Sequence, residues 1–431
     1  MQHTDKIIAL VDINNCYVSC ERIFNPALIG QPVIVLSNND GCAVSRSDEA
    51  KKLGIKMAAP LFQIQELVQK HNVHVLSSNY ALYAEMSRRF MKVLAQFVGE
   101  NEQEIYSVDE CFLDLTSLAL NHDITAYCCH ILECIAKWLG LPVCIGIGRS
   151  KTEAKLANQI AKQYPHYQGV CNLVTMDLCS VEALYQDLDV SEVWGVGRKN
   201  HKRLQNLGIS TAYDLACSDP QMLRKHFSVV MQRTVMELQG ISCIQLETEI
   251  LAKKQIISSR SFGQRITELS DLKEAITAYT VEAIKKLRKD HLLCGTVTVF
   301  LQSNPFDTSQ PYYNKSLSHN FTEATDDFLT MSKVVNLLME QLYQKEILFK
   351  KCGVILTSLE PQKSHIFDLF TDIKKIEEND KLTDTFEHIH EKFGKSKLAI
   401  GASALPDRTW AMTRDKMSPN YFQWDGLMVV H

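Results

Sequence analysis

The chain has 431 residues, enough for two to four domains with a sizeable core. Its 45% apolar and 22% charged content are those of a globular protein, and a net charge of −4 excludes a uniformly basic nucleic-acid binder. No apolar run is long enough for a membrane span, and Asp12 interrupts the early apolar stretch where a signal peptide would continue, so a cytosolic protein is expected.

IIALV at 7–11 reads as a short buried strand ending at Asp12. PVIVLS at 32–37 reads as a second strand, followed by the loop NNDG and a helix that carries Arg46, Lys51 and Lys52. Ser45 and Asp48 suit a capping box for that helix, and Gly54 suits its end. SSNYALYAEMSRRFMKVLAQF at 77–97 has helical apolar spacing. In EIYSVDECFLDL, Asp109 and Glu110 sit side by side within an apolar, strand-like run. Side chains alternate along a strand, so one acid should face the core unless a turn or bulge breaks the alternation. ITAYCCHILECIAKWLG reads as a helix closed by Gly140, PVCIGIG as a strand and SKTEAKLANQIAKQY as a helix. This alternation predicts a sheet with helices packed on it for the first 171 residues.

Residues 172–240 read as helical, and 241–254 as a connector. From 255 to 360 the pattern is β-α-β-β-α-β, the ferredoxin-like arrangement. The tail, 361–431, is polar and mixed. Fourteen cysteines are scattered without paired CxxC spacing, which fits small buried thiols better than a zinc site.

Asp12, Asp109 and Glu110 are three carboxylates from two strands. Two like charges near 4 Å repel by roughly 4 kcal/mol at an effective dielectric of about 20, so a cluster needs cations. Hard oxygen ligands suit magnesium, and paired ions clamp both ends of a phosphoryl displacement. The alternative is an exposed hairpin turn with Asp12 capping a loop, and spacing alone does not separate the two. At 100° per residue, Lys151, Lys155 and Lys162 fall within about 40° of one another, beside an apolar arc of Ala154, Ala157, Ile160 and Ala161. That stripe suits an anion at the helix start, or else a solvated face. Gly195 and Gly197 precede a basic helix beginning Arg198 and Lys199, which suits contact with a phosphate backbone or a plain turn. Arg260, Phe262 and Gln264 share one strand face, with Arg265 on the other: a nucleic-acid-facing surface or an edge strand.

VDINNCYVSCE, SNNDGCAVSRSDEAKKLG, YSVDECFLDL, GIGRSKTEAKLAN and VWGVGR follow in this order, and together the chain resembles a Y-family translesion DNA polymerase of the UmuC type from about residue 7 to 425. The resemblance implies an α+β multidomain fold: palm with fingers inserted at about 13–80, a thumb at 172–240 with a helix-hairpin-helix, and a ferredoxin-like little finger. It implies Asp12, Asp109, Glu110 and the Ile13 carbonyl as ligands of two magnesium ions, with the three acids catalytic. Tyr17 matches the steric gate that excludes a ribose 2′-OH, and Lys51 and Lys162 match triphosphate-binding positions, with Arg46 nearby. Cys16 and Asp48 depart from the family pattern, and Lys51 replaces a frequent arginine. HIFDLF at 365–370 resembles a sliding-clamp motif anchored by Phe367, Leu369 and Phe370, or else forms a buried strand end. Expected partners are primer-template DNA, dNTP, the sliding clamp, a UmuD-like accessory dimer and a RecA-like filament in a bacterial cytoplasm. A catalytically idle damaged-DNA-binding subunit and a palm-type nucleotidyl cyclase or nuclease are the alternatives.

Overall fold

Ile8–Ile13 (β1) is buried along its length except at Asp12. Such a strand must lie inside a sheet with both faces covered, and it does. The computed structural model describes residues 6–248, 252–366, 368, 373–393 and 412–422. They fall into two compact units, Met1–Ser37, Gly41–Ile250 and Lys416–His431 in one, Asn38–Asp40 and Leu251–Asp415 in the other.

The first unit continues with α1 (Cys16–Phe24), β2 (Val33–Leu36), β3 (Ala43–Arg46), α2 (Asp48–Lys52), α3 (Leu61–Lys70), β4 (His74–Ser77) and α4 (Tyr80–Leu94). Then come β5 (Gln103–Ile105), β6 (Glu110–Asp114), α5 (Ile124–Leu139), β7 (Val143–Gly148), α6 (Lys151–Gln163) and β8 (Val170–Asn172). Helices α7 (Leu178–Asp187), α8 (Arg198–Gln205), α9 (Ala212–Ala216), α10 (Pro220–His226) and α11 (Val229–Leu238) complete it.

The main sheet has the order β5-β6-β1-β7-β8, and β1 pairs antiparallel with both β6 and β7. Alternation sorts its side chains. Ala9, Val11 and Ile13 enter the large core that also holds residues of α1, α4 and α5. Ile8 and Leu10 face the other way, with Phe112 and with Ala154 of α6. Asp12 and Glu110 follow the parity of Leu10 and Phe112, so both point to the face that α6 covers.

Two glycines let α6 come that close. A Cβ on Gly146 would lie 2.0 Å from the Asn158 nitrogen and 2.3 Å from the Ala154 oxygen; one on Gly148 would lie 2.4 Å from the Glu153 Cβ. Gly146→Ala is therefore expected to lower stability by about 3 kcal/mol, because backbone on both sides must yield. Urea denaturation checks this, and an unchanged midpoint would contradict the packing.

Residues 33–77 hold a smaller sheet, β3-β2-β4, with β2 and β4 parallel. Sequence reading missed β3, α3 and β4, whose short amphipathic runs lack a strong period. It also misplaced a cap. Ser47 is the N-cap of α2, accepting from the Ala50 amide, whereas Ser45 lies on β3 and donates to the Asn15 carbonyl. Arg46 ends β3 and is not on the helix.

The second unit is β9 (Ile256–Ile266), α12 (Leu269–Lys289), β10 (Leu292–Ser303), β11 (Asn314–Thr325), α13 (Phe328–Leu342) and β12 (Phe349–Pro361), followed by α14 (Ile373–Phe393). The strand order is β11-β10-β12-β9 with every neighbour antiparallel. Each strand-helix-strand crossover skips one strand, the split βαβ arrangement. Residues of α12 and α13 share one core with the sheet. The 21-residue α14 went unread in a tail that looked merely polar.

Candidate functional site

Cross-strand register sets Asp12 of β1 directly opposite Glu110 of β6. Asp109 lies in the turn between β5 and β6, where its carbonyl accepts from the Ile13 amide at 3.0 Å. The turn resolves the question posed by two adjacent acids. Neither is forced into the core, because alternation stops at Asp109 and resumes at Glu110.

Each acid has a partner. Lys162 Nζ is 2.6 Å from Asp12, and Lys155 Nζ donates to Glu110 at 2.5 Å. The Ser107 hydroxyl donates to Asp109 at 2.6 Å. Burial pushes the Asp12 carboxyl up to about 6; Lys162 opposes this, and Glu110 and Asp109 add to it. Lys155 also lies over the rings of Tyr106 and Trp194, at 4.6 and 5.5 Å.

These acids sit where two clefts of the first unit meet. One, of about 380 Å³, is lined by Asp12, Ile13, Tyr17, Arg46, Lys51, Asp109 and Lys162 among others. The other, of about 510 Å³, is lined by Asp12, Glu110, Lys155 and Lys162 and by the loop from Ser191 to Gly197. Asp12 and Lys162 belong to both. The loop bearing Gly195 and Gly197 therefore shares a cleft with Asp12 and Glu110, a placement that a lone GxG does not signal.

Among the described residues, no three acidic, histidine or cysteine side chains stand gathered as a ready shell for a metal ion. Each acid is turned to its present partner instead. The donor set still fits a hard divalent cation: three carboxylates of which burial, and to a lesser degree the other two acids, push Asp12 up, with lysines supplying the compensating charge.

Arg46 Nη1 donates to the Ile55 carbonyl at 2.7 Å, and its Nε is buried without a partner among the described residues. Lys51 pairs with Asp48 at 3.0 Å, and Asn15 donates to the same carboxylate oxygen. Burial works against ionisation of Asp48, but hydrogen bonds from Lys51 and Asn15 outweigh it and hold the group below the usual carboxylate range. Asp48 thus holds Lys51, a cation that lines this cleft.

The lysine stripe needs correction. Lys151 is 2% exposed and pairs with buried Glu104, so it is a structural ion pair. The stripe faces the sheet together with the alanines, because the acids it meets lie on that face. On α8, Arg198 and Lys199 are exposed. In β9, Phe262 is fully buried in the core of the second unit, and Arg260 donates to the Ser259 carbonyl. Their shared row is the helix-covered one, not an open surface. A bulge in the β9 pairing turns Gln264 outward from it. Arg265 pairs with Asp307 at 2.5 Å, and β9 is an edge strand. Phe367, Leu369 and Phe370 lie outside the described residues; Ile366 beside them is exposed.

The sequence profile of the impB/mucB/samB family matches residues 11–159, that of its C-terminal domain matches 253–369, and a domain of unknown function, DUF4113, matches 380–430. The chain is 38% identical to Protein UmuC of Salmonella typhimurium over 96% of its own length and 97% of that protein. It is 37% identical to Protein MucB of Escherichia coli over 96% and 97% of the two chains. DNA polymerase IV of Ureaplasma parvum serovar 3 is 24% identical over 85% of this chain and 98% of its own. Among solved structures, a Y-family DNA polymerase chimera of Dbh and Dpo4 superposes with a TM-score of 0.66 at 20% identity, covering 82% of this chain and 99% of the other. An insertion ternary complex of Dbh DNA polymerase gives 0.52 at 19%, with 82% and 99% covered.

Proposed function

The chain belongs to the impB/mucB/samB family, the UmuC-type branch of the Y-family polymerases, and from that membership we infer a DNA-directed DNA polymerase that carries out translesion synthesis in the DNA damage response. One observation of this chain supports the reading above others: the acids and Lys162 stand at the junction of two clefts, as a site must when it joins two substrates.

The cleft with Tyr17, Arg46 and Lys51 takes the incoming dNTP. The cleft under Gly195 and Gly197 takes the primer end. Asp12, Asp109, Glu110 and the Ile13 carbonyl would hold divalent cations, two magnesium ions in our reading. When bound, these ions supply charge that lowers the pKa of the primer hydroxyl and neutralises the triphosphate. The chain's own residues do the rest. Lys162, paired with Asp12 and lining both clefts, would supply positive charge to the triphosphate. Arg46 adds positive charge at the wall of the same cleft, anchored to the Ile55 carbonyl. Lys155 steadies Glu110 from the aromatic shelf of Tyr106 and Trp194. The Gly195 and Gly197 loop, with Arg198 and Lys199 beyond it, tracks the DNA backbone without reading sequence. The main sheet is then the palm, residues 13–80 the fingers, 172–240 the thumb and 255–360 the little finger. The segment at 365–370 is assigned to the sliding clamp, and UmuD-like and RecA-like partners are expected in a bacterial cytoplasm. No described helix is long and apolar enough to cross a membrane.

Primer extension on a template carrying an abasic site tests this. Template-directed insertion opposite and past the lesion is expected. Nucleotide turnover that ignores the template would favour a cyclase or nuclease, and no turnover would favour an idle subunit.

A further inference from the structure

Residues 416–422 lie within the match to a domain of unknown function, and within the first unit they pack against α1 and α4, the helices that carry Tyr17 and Tyr83. The contact is specific. Met417 bridges Ser77 in parallel, with the Ser77 amide donating to the Lys416 carbonyl at 2.9 Å and the Lys416 amide donating to the Ser77 hydroxyl at 3.0 Å. Asn79 donates to the Ser418 hydroxyl at 2.9 Å, while its own side-chain oxygen caps α4. Tyr421 stacks on Phe24 at 4.7 Å, and the Arg89 guanidinium lies 5.3 Å from the centre of the Phe422 ring.

Ser418 also reaches inward. Its hydroxyl donates to Glu21 Oε1 at 3.0 Å, and the Tyr83 hydroxyl donates to the same oxygen at 2.7 Å. Glu21 is 1% exposed and Tyr83 is 2% exposed. A carboxylate so deep in a core is retained only when hydrogen bonds satisfy it. Burial pushes the Glu21 carboxyl up, and the two hydroxyls oppose that shift. Tyr83 in turn stacks on Tyr17, with ring centres 4.2 Å apart and planes 11° from parallel. Tyr80 meets both rings edge-on, at 6.2 and 6.3 Å.

We propose that this tail segment is a positioning element for sugar selection: Ser418 fixes Glu21, Glu21 fixes the Tyr83 ring, and Tyr83 sets the plane of Tyr17 against the incoming sugar. The proposal rests on the reading of Tyr17 as the sugar gate. The physical requirement is stiffness. One extra oxygen is excluded only if the ring facing it cannot tilt, and a stacked ring tilts when its neighbour loses its anchor. Ser418 joins the segment to two anchors at once, the cap of the helix bearing Tyr80 and Tyr83 and the carboxylate beneath Tyr83.

The test compares kcat/KM for dNTP and for the matching rNTP in the full chain with its primed template. Ser418→Ala and Tyr83→Phe each remove one hydroxyl. Each is expected to lower the dNTP-over-rNTP preference about five- to tenfold while dNTP insertion stays within about twofold. Ser418→Thr keeps the hydroxyl and is expected to keep the preference. Tyr17→Ala serves as the reference, with a larger loss. If Tyr17→Ala loses discrimination and neither hydroxyl variant does, the tail has no such role and the gate stands. If dNTP and rNTP insertion fall in step in the hydroxyl variants, the segment is merely structural and the proposal fails. If Tyr17→Ala itself leaves the preference unchanged, the gate reading fails and this inference falls with it.

Discussion

Asp109→Ala is expected to reduce magnesium-dependent primer extension about 10³-fold, roughly 4 kcal/mol of transition-state stabilisation, with binding of primed DNA changed little. The reason lies in where the residue sits. Asp109 is in the turn that lines the cleft with Tyr17 and Arg46, and its backbone holds Ile13 in place through the bond to the Ile13 amide. Alanine keeps that backbone bond and removes only the carboxylate, so the fold should survive. The charge balance does not survive. Lys162 and Lys155 remain, and the site loses one of three negative charges that attract a divalent ion. Glu110→Ala should be the milder change. Glu110 lines the cleft proposed for the primer end and is already held by Lys155, so its loss is expected to affect one side of the reaction. Extension rates at saturating magnesium, alongside a DNA-binding titration, check both. Equal extension by wild type and Asp109→Ala would refute the site.

Tyr17→Ala is expected to lower discrimination against rNTPs about 10²-fold, chiefly by raising rNTP insertion. Tyr17 is the second residue of α1 and lines the cleft proposed for the nucleotide, stacked on buried Tyr83. Its phenol is pushed up to about 12, by burial first, so the ring is neutral at working pH. Alanine leaves room for the 2′-oxygen. Losing one stacked aromatic pair costs about 1 kcal/mol beyond area, which the unit tolerates. Single-turnover insertion of dNTP and rNTP opposite the same template base reads the ratio. An unchanged ratio would mean that Tyr17 does not face the sugar.

Much of the fold was legible because its signals are local. The β-α-β-β-α-β order of the second unit, the helix closed by Gly140 in a left-handed conformation and the strand-glycine-helix run at 143–163 are each written in short-range period and turn chemistry. In the small sheet only the apolar β2 was legible, since β3 and β4 are four residues each and carry too few apolar alternations to register. Ser47 was overlooked as a cap because the strand β3 ends one residue before it.

The candidate site divides in the same way. Sequence alone named Asp12, Asp109 and Glu110, the lysines of α6, Tyr17 and the glycine pair, and by resemblance it assigned them to nucleotidyl transfer. Alternation left open whether Asp12 meets the pair; the cross-strand register puts Asp12 and Glu110 on one face. Only the tertiary structure decided which lysine meets which acid: Lys151 goes to buried Glu104, while Lys155 and Lys162 go to the candidate site. Only it brought Ser418 to Glu21, 397 residues away in the chain. The physical reason is common to both. Periodicity fixes the direction of a side chain relative to its own element, but a partner is chosen by how elements pack, and that choice carries no local mark in the sequence.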